Sequence, residues 1–375
     1  MFANPNFNPT SLISRCLKYF CLLVLSAANV LWVSSQAQAD QSNPKKNTPK
    51  KAAVSKQSNN PAQKTSVKPA KPVDKKNSAP APPKKAPPRG SSNTKAKLPV
   101  VPIHSIARKT GLHEVVDPLG LNASVAYVID KNTGEILLGK NEGAVLPIAS
   151  ITKVMTAMLI IEAMLPMDDM ITITKEDIDT VKNSSSRLPV GSRLTRRALL
   201  KLALMSSENR AAHALARTWP GGTKVFIERM NARSKQLGMY NTHFADSSGV
   251  SPNNRSNARD LALLVQAANR IPLMRELTTE QEYQIALGKN TINYKNSNSL
   301  VRTGWGEIEF QKTGFINEAG RCVVMLIQTA GRDIIMVLLD AVSTSARTAD
   351  VKRVSEWIER NMSMTNSTIS ATPQR

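Results

Sequence analysis

The sequence predicts an α+β domain over residues 101–362. Two observations carry this. Strand patterns with turn residues between them stand at both ends of the segment, and apolar helical periodicity fills the middle. The pattern "SVAYVIDKNTGEILLGKN", Ser124 to Asn141, reads as strand, turn and strand. The stretch "LPIASITKVMTAMLIIEAML" follows, with a helix predicted over 150–163. It is apolar nearly all round, which marks a buried helix. "SRLTRRALLKLALMSSENRAAHALART" gives two helices with a break near Ser206 to Asn209, and "RDLALLVQAANR" gives another amphipathic helix. "GEIEFQKTGF", "GRCVVMLIQTA" and "DIIMVLLDAV" are three strands joined by glycine-containing turns. "TADVKRVSEWIERNM" closes with a helix that puts Val351, Val354, Trp357 and Ile358 on one face. The chain has no internal repeat, and its 375 residues allow one or two domains. Aromatic residues make up only 4% of it, so the core is aliphatic.

The flanks differ in kind. Residues 1–39 have the three-part layout of a cleaved export signal. Arg15 and Lys18 are their only charges, an apolar run follows from Tyr19 to Val33, and Ala37-Gln38-Ala39 supplies small residues for cleavage after Ala39. The competing reading is an uncleaved membrane anchor, but the run falls short of the roughly 20 residues that span a bilayer. Residues 40–100 are Lys, Pro, Ala, Ser and Asn without periodicity, a composition that predicts a disordered linker. Fourteen lysines and Arg89 against Asp40 and Asp74 give this segment +13 of the chain's formal +22. Its r.m.s. span is roughly 40–50 Å. The basicity is therefore mostly a property of the linker, which suits a polyanionic wall or membrane surface, or a solvated spacer. A nucleic-acid-binding role is disfavoured by the export signal. Residues 363–375 read as a disordered tail.

Cleavage removes Cys16 and Cys21 and leaves Cys322 alone, so no intramolecular disulfide is expected. His104, His113, His213 and His243 are scattered, and no Cys/His cluster has metal-ligand spacing, so no metal is expected.

One polar pair interrupts the apolar helix. Ser150 and Lys153 lie three residues apart and share a helix face. A serine hydroxyl becomes a nucleophile when a base takes its proton, and burial lowers a lysine pKa enough to supply that base. The competing reading is a serine N-cap beside an exposed lysine. The spacing alone is weak, since Ser42/Lys45 and Ser92/Lys95 repeat it in the linker; the buried helix is what separates Ser150 and Lys153 from them. Downstream, Ser207-Glu208-Asn209 places a hydroxyl and an amide at the helix break, where a helix cap is the alternative. Lys312-Thr313-Gly314 lies on a predicted strand, where Lys and Thr suit a carboxylate and Gly permits close backbone approach. Ser251-Pro252-Asn253 and Lys109-Thr110-Gly111 are decoys of the same patterns.

Taken in order, these three motifs resemble the active site of penicillin-recognising serine enzymes. With "LPIASITKVMTAM", "LMSSENRAAHALA", "FADSSGVSPNNRSNARDL" and "FQKTGFINEAGRCVVM", residues 110–362 resemble the low-molecular-mass D-alanyl-D-alanine peptidases, most of all the penicillin-binding protein 7 branch of DD-endopeptidases. The resemblance implies a β-lactamase/transpeptidase-like fold, an antiparallel sheet flanked by helices with a helical subdomain. It implies Ser150 as the acylated nucleophile, Lys153 as base and Ser207 as proton relay, with no metal and no organic cofactor. It implies Asn209, Lys312 and Thr313 as substrate-binding residues, with Gly314 beside them and the backbone N–H groups of Ser150 and Phe315 as the oxyanion hole. The implied substrate is the D-Ala–meso-diaminopimelate cross-link of peptidoglycan, cut in the periplasm, with β-lactams as covalent inhibitors. A DD-carboxypeptidase acting on pentapeptide stems fits the same motifs, and a wall-binding module acting through its tail is the non-enzymatic alternative. The linker has no counterpart in the resemblance.

Overall fold

The computed structural model describes residues 105–288 and 290–370. The predicted leader and linker, and residues 371–375 of the predicted tail, lie outside the described residues.

The chain enters through α1 (Ile106–Lys109) and forms a hairpin of β1 (Val125–Asp130) and β2 (Ile136–Lys140). The short β3 (Leu146–Pro147) then leads into a 3-10 turn, Ala149–Ile151, and α2 (Thr152–Glu162). A small hairpin of β4 (Met170–Thr172) and β5 (Arg193–Thr195) precedes α3 (Arg196–Met205), α4 (Asn209–Arg217) and α5 (Gly222–Gln236). After β6 (Arg255–Ser256), which pairs with β3, come α6 (Ala258–Asn269) and α7 (Pro272–Thr279). A hairpin of β7 (Glu282–Leu287) and β8 (Asn290–Lys295) leads through α8 (Ser299–Arg302) to β9 (Glu307–Ile316), β10 (Gly320–Thr329) and β11 (Arg332–Ala341). The last element is α9 (Thr344–Ser370).

The first hairpin and the last three strands make one antiparallel sheet in the order β2-β1-β11-β10-β9. Its two faces follow from strand alternation. On β10 and β11, Val323, Met325, Ile327, Ile334, Met336 and Leu338 point to one side, where Val351, Val354 and Ile358 of α9 cover them and Trp357 packs at the edge. Val324, Leu326, Ile335, Val337 and Leu339 point to the other side, into the core shared with the helices between β3 and β7. The α+β reading holds, with the sheet flanked by helices on both faces.

Two differences from the sequence expectation have simple causes. Helix α9 continues to Ser370, eight residues past the predicted boundary at Met362. Residues 363–370 contain no Gly or Pro, so the sequence offers no helix breaker before Pro373. The nucleophile candidate also sits differently: Ser150 lies in the 3-10 turn ahead of α2, and that turn has no side-chain cap. The N-cap alternative for Ser150 therefore has no support here.

Two features place the site. Helix α2 is buried from Thr152 to Ile160 and packs against α3, α4, α5 and α6. Strand β9 is the outer strand of the sheet, and the Ala149–Ile151 turn packs directly against it.

Candidate active site

Lys153 is the first side chain to fix. It is fully buried on α2, and its Nζ donates to three acceptors: Ser150 Oγ at 2.9 Å, Asn209 Oδ1 at 2.7 Å and the Ser248 carbonyl at 2.6 Å. Burial pulls its pKa from 10.5 down to about 7, against the opposing pull of Asp246, Glu208 and Asp179. A lysine poised there spends a substantial fraction of its time neutral at pH 7. In that state its lone pair can accept the Ser150 hydroxyl proton.

The break between α3 and α4 supplies the second edge. Ser207 holds a left-handed backbone at φ 64, rare for a residue with a Cβ. Its Oγ accepts from Lys312 Nζ at 3.0 Å. Glu208 caps α4 by accepting from Arg210 N–H, so the capping role expected for this break falls to Glu208. Asn209 is engaged at both ends of its amide, accepting from Lys153 and donating to Ser184 Oγ at 2.7 Å. Contact with a substrate peptide would require an exchange of the Ser184 bond.

Strand β9 supplies the third edge. Lys312 is fully buried and also donates to the Thr313 carbonyl at 2.9 Å. Burial, with the positive charges of Lys153 and Arg347, holds its pKa well below 10.5. Thr313 Oγ1 donates to Ser297 Oγ at 2.7 Å. Gly314 has a different geometric role from the one its motif suggested. A Cβ there would lie 2.9 Å from the Ile148 carbonyl oxygen and 3.2 Å from Ser150 N. The missing side chain therefore lets the strand approach the Ser150 turn, a constraint internal to the protein.

The three motifs thus converge, although 162 positions separate Ser150 from Lys312. Ser150, Ser207, Asn209, Thr313, Gly314 and Phe315 line one cavity of about 270 Å³ together with Ser297, Arg321, Thr344 and Arg347. Lys153 and Lys312 lie beneath its wall. The cavity has room for the atoms around one scissile bond, so a longer ligand lies across the rim. A larger cleft of about 500 Å³, between Leu159, Trp219 and Arg233, holds none of the motif residues. The decoy triplets Lys109-Thr110-Gly111 and Ser251-Pro252-Asn253 lie elsewhere in the sequence and line neither opening.

Sequence reasoning missed several parts of this site. The loop from Asp246 to Ser251 is one. Asp246 accepts from the backbone N–H groups of Ser248, Gly249 and Ser251, from Ser248 Oγ and from Asn254 Nδ2. That clasp aims the Ser248 carbonyl at Lys153. Thr156, one turn along α2, binds the Ser247 carbonyl at 2.7 Å, and His213 pairs with Ser248 Oγ at 2.9 Å. The Asp-Ser-Ser-Gly sequence was the available signal, because Asp and Gly favour such turns. Arg347 was also missed. It is buried in the first turn of α9 and donates to the Cys322 carbonyl at 3.3 Å. Burial lowers its pKa to about 10.

Cys322 is free and buried, and its thiol is pushed up to about 12 by burial, which makes it a poor nucleophile. Among the described residues, no group of three His, Cys, Asp or Glu side chains is placed to hold a metal ion. Among the same residues, no helix is long and apolar enough to cross a membrane.

Known proteins resemble this chain in sequence and in fold. A family described as D-alanyl-D-alanine carboxypeptidase, peptidase family S11, matches residues 113–343. A D-alanyl-D-alanine endopeptidase of Pseudomonas aeruginosa is 41% identical over 241 residues, 64% of this chain and 78% of the relative. The crystal structure of the Streptomyces K15 DD-transpeptidase superposes with a TM-score of 0.60 at 29% identity, covering 65% of this chain and 98% of the other. Penicillin-binding protein D2 of Listeria monocytogenes, solved in its ampicillin-bound form, superposes at 0.54 with 28% identity, covering 63% and 96%. A cavity-lining serine bonded to a buried lysine at the edge of a five-stranded sheet, a family match over most of the described residues and penicillin-binding structural neighbours lead to one assignment: the chain belongs to the S11 family of serine D-alanyl-D-alanine peptidases.

Proposed function

We propose that this protein is an exported, penicillin-sensitive serine DD-endopeptidase that hydrolyses D-Ala–meso-diaminopimelate cross-links of peptidoglycan. The observation that carries this reading is the 2.9 Å contact between Ser150 Oγ and the buried Nζ of Lys153. Neutral Lys153 takes the hydroxyl proton as Ser150 attacks the D-alanine carbonyl. The backbone N–H groups of Ser150 and Phe315 hold the oxyanion that forms. Ser207, held by Lys312, relays to the departing amine the proton that Lys153 took up, as the amide bond breaks, which leaves Lys153 neutral again. Asn209 orients Lys153 and the substrate peptide, while Thr313 and Arg347 bind the carboxylate next to the cut bond. Water then attacks the acyl-enzyme, gives a proton back through Lys153 and releases the new D-alanine carboxylate. A β-lactam enters the same sequence and stops at the acyl-enzyme.

The endopeptidase choice rests on likeness to the P. aeruginosa endopeptidase. The family as a whole is described by carboxypeptidase activity, which makes removal of the terminal D-alanine from pentapeptide stems the second reading. The domain plan proposed with it is a leader at 1–39, a flexible linker at 40–100 and the catalytic domain after it, working in the periplasm. A loose electrostatic hold on the wall or membrane surface falls to the linker.

The test uses the purified chain and its Ser150→Ala variant. Each receives a cross-linked dimer muropeptide, a pentapeptide monomer and a fluorescent penicillin, with products read by mass spectrometry. The expected result is dimer converted to monomers and penicillin labelling, both lost in Ser150→Ala. Loss of one D-alanine from the pentapeptide with the dimer untouched moves the assignment to carboxypeptidase. No turnover and no labelling leaves the wall-binding alternative.

A further inference from the structure

The cavity holds a cation that the reaction set out above does not use. Arg321 is the second residue of β10 and lies directly across the ladder from Phe315. Its guanidinium carbon stands 3.4 Å from the centroid of the Phe315 ring, and both residues line the cavity with Ser150. Phe315 is 44% exposed at the outer edge of the sheet, so the ring serves as a platform for the guanidinium more than as core. Arg321 is only partly exposed, and burial lowers its pKa. Among the described residues no carboxylate forms an ion pair with it and no acceptor takes a hydrogen bond from its side-chain N–H groups. A desolvated, planar cation with its hydrogen-bonding fork open suits a carboxylate.

The surroundings point the same way. No Asp or Glu lines the cavity, whereas Arg347 does, and Arg321 is near enough to Arg347 for the two charges to repel. The N-terminal end of α9 opens onto it through Thr344 and adds the positive pole of a long helix. The ladder also gives a spacing. Thr313 pairs with Val323 and Phe315 with Arg321, so the Arg321 position lies two residues along β9 from that of Thr313. At about 3.4 Å per residue this is about 7 Å, a suitable separation for two acidic groups on one extended peptide.

Resting on the endopeptidase reading, we infer that Arg321, laid flat on Phe315, is a specificity residue that binds a second carboxylate of the cross-linked substrate, carried by the leaving stem beyond the carboxylate next to the scissile bond. Two carboxylates of that stem qualify, the α-carboxylate of its γ-linked D-glutamate and the one at the stem's terminus, since the far carboxyl of diaminopimelate is part of the stem's backbone. A single pentapeptide stem whose leaving group is free D-alanine brings neither to this place. The Phe315–Arg321 stack thereby favours cross-links over single stems.

The experiment compares wild type with Arg321→Gln on four substrates: the dimer, the dimer amidated at the D-glutamate α-carboxylate of the leaving stem, the dimer amidated at that stem's terminus, and the pentapeptide. Fluorescent-penicillin labelling of Ser150 reports an intact catalytic centre. Wild type is expected to lose about ten- to a hundredfold in kcat/KM on one amidated dimer. Arg321→Gln should lose the same factor on the unmodified dimer and be indifferent to that amidation, and the arm that responds identifies the carboxylate. Phe315→Leu should weaken the dimer's advantage over the pentapeptide in the same direction, because the guanidinium loses its platform. Equal losses on dimer and pentapeptide in Arg321→Gln, or amidation penalties that wild type and variant share, overturn the subsite and leave Arg321 a brace for the strand. If Arg321→Gln fails to label, Arg321→Lys is compared in the same way, and a dimer preference equal to that of wild type on every arm overturns the fork argument. A wild type that labels with penicillin but cuts only the pentapeptide overturns the endopeptidase reading itself, a result separable from all of these.

Discussion

In the proposed reaction, activation of Ser150 depends on the proton on Lys153, and that proton is contested by its neighbours. Burial lowers the lysine pKa to about 7, while Asp246, Glu208 and Asp179 pull it upward and hold it there. With neutral Lys153 as the proposed base, penicillin acylation of Ser150 should lose tenfold in kcat/KM per pH unit below about 7, as a stopped-flow pH profile would record. Glu208→Gln removes one anion and keeps an Oε1 acceptor for Ser186 and Arg210. Removing a nearby negative charge destabilises the ammonium form, so the acid limb should move to lower pH; a limb that stays or rises would argue against electrostatic tuning by Glu208. The pairing of Ser150 with Lys153 was legible because one helical turn fixes it. Asp246 and Ser248 were not, since they approach Lys153 only after 90 further residues have folded into place. Arg321 and Arg347 were hidden for the same reason, as their shared cavity exists only once β10 and α9 stand beside β9.

Two glycines govern how closely elements approach around the nucleophile. Gly314 lets β9 lie against the Ser150 turn, where a Cβ would press on Ile148 O at 2.9 Å and Ser150 N at 3.2 Å. Gly314→Ala should displace the strand by a few tenths of an ångström, lowering penicillin acylation by about ten- to a hundredfold while Tm moves by only a few degrees. Gly249 is more constrained. It has φ +85, and a Cβ would sit 1.9 Å from the Ala149 carbonyl oxygen, a backbone atom with no rotamer to yield. Gly249→Ala should cost about 2–4 kcal/mol of stability in urea unfolding, and a loss below 1 kcal/mol would show that the loop has an alternative path. The sequence revealed elements in proportion to their buried width. Helices α2 and α3 show broad apolar faces and were read directly. Helix α5 buries only Phe226, Met230 and Ser234 along 15 residues, a stripe too narrow to stand out. The β7–β8 hairpin buries only Ile285 and Tyr294, so its alternation is equally faint.

Across the whole chain, charge and chemistry divide by region: most of the +22 lies in residues 40–100, and the candidate site lies within residues 150–347. Deleting 40–97 should leave turnover of a soluble dimer unchanged and lower retention on isolated sacculi at low salt, where screening is weak. Retention that does not change would remove the tethering role. The fold class was legible at this scale because strand patterns and helical periodicities occupy separate stretches, whereas the order β2-β1-β11-β10-β9 was not, since ladder partners such as Val125 and Leu339 lie more than 200 residues apart. The placement of Ser150 at the head of α2 has one more consequence. That helix is walled in by α3, α4, α5 and α6, with no exposed side from Thr152 to Ile160. The nucleophile therefore has no private melting transition: heat should abolish penicillin labelling along the same curve that removes the far-ultraviolet helix signal. Control of such an enzyme in time then falls to gatekeeping at the cavity mouth or to destruction of the whole chain, because α2 cannot melt while the rest of the fold survives.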